Sequence, residues 1–156
     1  MKKMMMAATL SSLFLMPLAN AADYVVDTRG AHASVNFKIK HLGYSWLTGR
    51  FDKFDGKFNY DEKSPEASKI TFNVDVTSLN SNHAERDKHL KNEEVLNAGD
   101  FSTATFTSTS VKDLGNGKLK VMGNMSLKGV TKPMTINVEK IGEGKDPWGG
   151  YRVGFS

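Results

Sequence analysis

An all-β, antiparallel domain with one short helix is what this sequence predicts, either a sandwich or an up-and-down barrel. Three observations predict it. Apolar residues alternate with polar ones in run after run, the period-2 signature of strands with one dry and one wet face. Turn residues separate the runs, with Asn116-Gly117 as the clearest hairpin signal. Only residues 82–91 break the pattern.

The first 21 residues stand apart from the fold. Lys2 and Lys3 precede a mostly apolar stretch, and Ala19-Asn20-Ala21 is a small-x-small cleavage site. This is the pattern of a secretory signal peptide, so residues 1–21 are expected to be removed and residues 22–156 to form one domain in the periplasm. The apolar stretch falls short of the ~20 residues of a spanning helix.

Residues 24–28 read as a short first strand. In the next run Val35, Phe37 and Ile39 alternate with Asn36, Lys38 and Lys40, and Gly43 marks a turn. Phe51, Phe54, Phe58 and Tyr60 follow, with a slip of parity between Phe51 and Phe54. A long strand with a bulge or bend, relieved by Gly49 and Gly56, accounts for that slip. Ile70, Phe72, Val74 and Val76 give another strand.

Residues 82–91 are charged and lack Gly and Pro, and Asn82 is a good N-cap, so a short helix is expected across one end of the sheet. Arg86 and Asp87 are expected to fix it to the rim. Residues 103–111 form a Thr/Ser-rich strand around Phe106. Leu119, Val121, Met125 and Leu127 share one parity, and Met134, Ile136 and Val138 another. Beyond the turn at residues 146–150, Tyr151, Val153 and Phe155 begin one more run. That run stops at Ser156 with neither turn nor polar tail, so the C-terminal strands are expected to be missing.

Composition narrows the function. There is no cysteine, so packing alone must hold the fold in an oxidising compartment. The net charge of +4 falls to +2 once Lys2 and Lys3 leave with the signal peptide. The remaining charges are interspersed, with no basic run of the kind that binds nucleic acid. No GxSxG elbow, glycine-rich phosphate loop or cysteine nucleophile is present, so the chain is not expected to be an enzyme. His83 and Asp87 stand four apart, as helical metal ligands do, but no HExxH pattern supports them.

Several motifs occur in order: HASVNFKIKHLGYSWLTGRF, FDGKF, HAERDKHL, ATFTSTSV and LKGVTKP. Together they closely resemble the YceI-like family, over essentially all of residues 22–156. The resemblance implies an all-β, antiparallel lipocalin-like β-barrel with one short helix at the barrel end. It also implies an elongated apolar pocket that holds a polyisoprenoid, a quinone-like or isoprenyl lipid. Val95 stands where the family usually has an aromatic, and Ser102 where it has proline. The family's sequence also continues beyond Ser156.

Apolar alternation alone reads as ordinary packing, and a barrel of ~8 strands either fills with side chains or holds one small ligand. The resemblance favours the ligand. It makes Val35, Phe37, Ile39, Phe51, Phe58, Phe72, Val74, Phe106, Met125 and Ile136 the expected pocket lining. No cofactor is expected besides the bound lipid. A carrier of this kind implies transient contact with a membrane or membrane protein. A periplasmic metal or haem binder and a stress-related structural protein with a filled barrel are the alternatives.

Overall fold

The computed structural model describes residues 21–30 and 32–156. Residues 1–20 of the expected signal peptide lie outside the described part. Ten strands, one helix and two single 3-10 turns make up the rest, and all strand pairs are antiparallel.

Strand β1 is Ala22–Val25, earlier and shorter than the sequence suggests. Strands β2 (Val35–His41) and β3 (Ser45–Phe51) form a hairpin, and β4 (Phe54–Tyr60) follows at once. Next come β5 (Ile70–Asp75), the short β6 (Leu79–Asn80) and helix α1 (Ala84–Lys91). Strands β7 (Thr103–Asp113), β8 (Lys118–Leu127), β9 (Val130–Lys145) and β10 (Tyr151–Phe155) complete the order. Seven strands form one sheet in the order β1-β4-β5-β7-β8-β9-β10, and β2-β3-β6 form a second.

The parity slip between Phe51 and Phe54 is more than a bulge. The chain changes sheet there: β3 pairs with β2 and β6, whereas β4 pairs with β1 and β5. The corner is held from a distance. Asp52 N–H donates to the Ser78 carbonyl at 3.1 Å, and Lys53 N–H to Ser78 Oγ at 2.9 Å.

The large sheet curls. Strands β1 and β10 are its two edges, yet Phe155 of β10 packs against Phe58 and Tyr60 of β4, with ring centroids 5.8 and 5.2 Å apart. Arg152 of β10 also pairs with Asp27, just past β1. The result is a lipocalin-like antiparallel half-barrel. Tyr60, Phe106, Val111, Leu119 and Val121 form its buried core, flanked by Tyr24, Phe58, Ile70 and Phe72. A smaller cluster of Val76, Ala98 and Ala104 with Phe51, Val74 and Leu96 sits toward the helix end.

Helix α1 starts one residue later than expected. Asn82 takes a positive φ of 62°, and His83 is the N-cap, its Nδ1 accepting from Arg86 N–H at 3.2 Å. Asp87 accepts from both Ser81 N–H (2.9 Å) and Ser81 Oγ (2.5 Å). Arg86 donates to Ser81 Oγ at 2.8 Å and to the Ser81 carbonyl at 2.6 Å. This network ties the helix start to the end of β6. At the other side Lys128, in the β8–β9 turn, donates to the carbonyls of Glu93 and Val95 at 2.8 and 3.0 Å.

Candidate functional site

The inward parity of the large sheet is apolar along β4, β5 and β8, while β7 and β9 add Ser108, Asp113, Lys132 and Lys140 to the same face. Along β4 it carries Phe54, Gly56, Phe58 and Tyr60; along β5, Ile70, Phe72 and Val74; along β8, Leu119, Val121, Gly123, Met125 and Leu127. Side chains stack across the strands. Tyr24 stacks on Phe58 at 5.1 Å, and Phe54 on Phe72 at 5.7 Å.

Aromatic rings lie flat on this face because glycines make room for them. Phe72 pairs directly with Gly56, and a Cβ there would come within 2.7 Å of Phe72 Cδ2. Phe37 covers Gly49 in the same way on the second sheet. Rings laid over glycines in this manner cover backbone and hold strand register.

Of the ten residues expected to line a pocket, Phe58, Phe72, Phe106, Met125 and Ile136 gather in the main cluster. Phe51 and Val74 join the smaller one. Val35 and Phe37 are half-buried on β2, and the Phe37 ring lies 5.8 Å from that of Phe51. Two places differ from expectation. Phe106 is only 4% exposed, a packed core residue rather than an open wall. Ile39 is 51% exposed, on a strand that is an edge of its sheet among the described residues. The expectation for Lys38 and Lys40 holds: both are exposed, alternating with Val35 and Phe37.

Tyr24, Tyr60, Val138, Val153 and Phe155, strand residues outside the expected lining, also belong to the main cluster. Tyr60 shares the parity of Phe58, so its signal was present. Val111 is shifted by the register irregularity between Ser108 and Ser110, which moves the buried side from even to odd positions.

One end of the concave face is polar. Lys140 carries the inward parity of Ile136 and Val138, and its Nζ contacts Glu62 at 2.5 Å and Glu143 at 3.1 Å. The hydrogen bond to Glu62, then that to Glu143, holds the lysine above its ordinary pKa. Burial raises the Tyr60 phenol next to it. Along the hairpin a cleft of about 1040 Å³ extends toward the loop before α1, lined by Phe37, Trp46, Leu47, Asn80 and Arg86 among others. Among the described residues no group of three or more His, Asp or Glu side chains is placed to hold a metal.

A curled antiparallel sheet with an aromatic concave face and a helix across one end defines the class of lipocalin-like barrel proteins. Residues 24–156 match the YceI-like domain, and the chain belongs to the YceI-like family. A UPF0312 protein of Vibrio cholerae is 57% identical over 157 aligned residues, covering all of this chain and 83% of its own length. A UPF0312 protein of Shewanella baltica is 54% identical, over all of this chain and 82% of its own. Among solved structures, the YceI protein of Campylobacter jejuni superposes with a TM-score of 0.68 at 31% identity, covering 85% of this chain and 76% of the other.

Proposed function

We propose that this protein is a periplasmic carrier that holds a polyisoprenoid lipid against its concave apolar face. The observation that carries the reading is the composition of that face: along β4, β5 and β8 every inward position is aromatic, aliphatic, methionine or glycine. Such strands suit hydrocarbon, and the polar groups of the face lie on the neighbouring β7 and β9.

The energetics suit a prenyl chain. Each buried methylene contributes roughly 0.8 kcal/mol, so a five-carbon isoprene unit contributes roughly 4 kcal/mol before ordering costs. A few units give tight binding without a charged contact. Met125, an unbranched thioether, adapts to the methyl branches of such a chain. The ion pair of Lys140 and Glu62 marks a polar end where the hydrocarbon run stops. In this reading the protein binds and does not catalyse, and export by the signal peptide at residues 1–21 puts it beside the membrane that supplies its lipid.

Organic extraction of protein purified from the periplasm, followed by mass spectrometry, tests the proposal. A prenyl lipid in stoichiometric amount is expected. Protein that is folded and yields no lipid, or yields stoichiometric metal instead, overturns it.

A further inference from the structure

The β2–β3 hairpin projects a surface that the concave face does not use. At its tip Leu42 is 71% and Tyr44 79% exposed, and Trp46 beside them is 60% exposed. Clusters of large apolar side chains left in water mark interaction sites. The surrounding charge has one sign. Residues 32–51 contain no Asp or Glu, and Lys38 and Lys40 lie toward the tip, whereas Arg50 at the far end of the ladder is paired with Asp52. Lys38 Nζ lies 4.3 Å from the centre of the Trp46 ring, and Lys40 is the cross-strand partner of Trp46.

The turn itself points the same way. Tyr44 N–H closes it on the His41 carbonyl, and both central residues have positive φ, 49° at Leu42 and 85° at Gly43. Asn or Gly is the comfortable residue at the first of these positions, because a Cβ crowds the left-handed region. Leucine there is strained and wet at once, which folding alone does not explain.

We infer that this tip is a docking element for an anionic lipid surface. Trp and Tyr favour the headgroup level of a bilayer, where the ring is dry and the polar edge is wet. Lys38 and Lys40 complement anionic headgroups. Strand addition by a second copy is disfavoured, since β2, an edge of its sheet among the described residues, carries those two lysines. The inference does not depend on which lipid the concave face holds.

The test uses Trp148→Phe protein, in which Trp46 is the single tryptophan, recovered from the periplasm and checked by mass for loss of residues 1–21. On adding vesicles of phosphatidylcholine with phosphatidylglycerol, Trp46 emission should shift to the blue and the protein should sediment with the vesicles. Vesicles of phosphatidylcholine alone should bind weakly, and salt should reverse the binding. Changing Lys38 and Lys40 together to Glu should weaken binding at least ~10-fold. Leu42→Asn should weaken it while leaving the melting temperature equal or higher, which separates docking from folding. Unchanged Trp46 emission with folded protein at low ionic strength overturns the inference. So does a concentration-dependent dimer that Leu42→Asn abolishes, because the tip would then serve a second copy. Prenyl lipid still extracted from protein that ignores vesicles would sink the docking alone and leave the carrier reading intact.

Discussion

The ring of Phe37 occupies the space that a side chain on Gly49 would need, directly across the β2–β3 ladder. Even a methyl group must displace the ring. Gly49→Ala is therefore expected to destabilise the protein by about 1–3 kcal/mol, the usual cost of overpacking. Combining it with Phe37→Ala should recover part of that loss. Urea denaturation of the two single variants and the double variant measures the coupling, and strictly additive losses would contradict the contact.

Phe72 lies between Phe54 and Gly56 on the concave face and packs against the buried core. Phe72→Ala should cost about 2–4 kcal/mol. Phe72→Asp should cost more, because it places an unpaired charge among aromatic rings. Both should reduce retained lipid, and thermal melts run beside lipid extraction distinguish a weakened pocket from a lost fold.

At the helix start, the hydrogen bond from Ser81 Oγ to Asp87, with a lesser one from Ser81 N–H, depresses the Asp87 pKa. A depressed carboxylate stabilises the fold above its unfolded value, about 3.9, and that stability is lost as pH falls through the folded value. Asp87→Asn should lower stability at neutral pH by about 1–3 kcal/mol. It should also flatten the acid limb of the stability profile relative to the parent. An acid limb of unchanged slope would show that Asp87 titrates alike in both states.

Lys140 carries the opposite sign. Its pKa is raised by Glu62 and then by Glu143, so its stabilisation is present below about 10.4 and lost as pH rises toward the folded value. Lys140→Met should make stability less sensitive to alkali. Some sensitivity should remain from Tyr60, which burial raises in the same direction. Denaturation midpoints at neutral and alkaline pH compare the two proteins directly.

Strand existence was legible because one-sided burial forces period 2, and Phe72, Val74 and Met125 fell on the expected face. The helix was legible from charge and the lack of breakers, though its cap falls at His83, one residue beyond the Asn82 that composition favours. The change of sheet at Asp52 and Lys53 was not legible. Its partner, Ser78, is 25 residues away, and nothing local announces it. Lys140 was invisible for the same reason: the carboxylate that lets a lysine face inward belongs to Glu62, 78 residues earlier. Ile39 read as lining because parity reports which face a residue occupies and not whether another strand covers it.

The pairing of Arg152 with Asp27, completed by Asp146 at 2.8 Å, joins positions 125 residues apart. The hairpins β2–β3, β7–β8, β8–β9 and β9–β10 each close over a short turn and need little chain entropy. Meeting of β1 and β10 needs the strands between Asp27 and Arg152 to be in place, and contacts of such separation form slowly. The curl should therefore come late in folding, after the ladders that it bends. Mutations at Arg152 are then expected to speed unfolding and to leave the folding rate nearly unchanged.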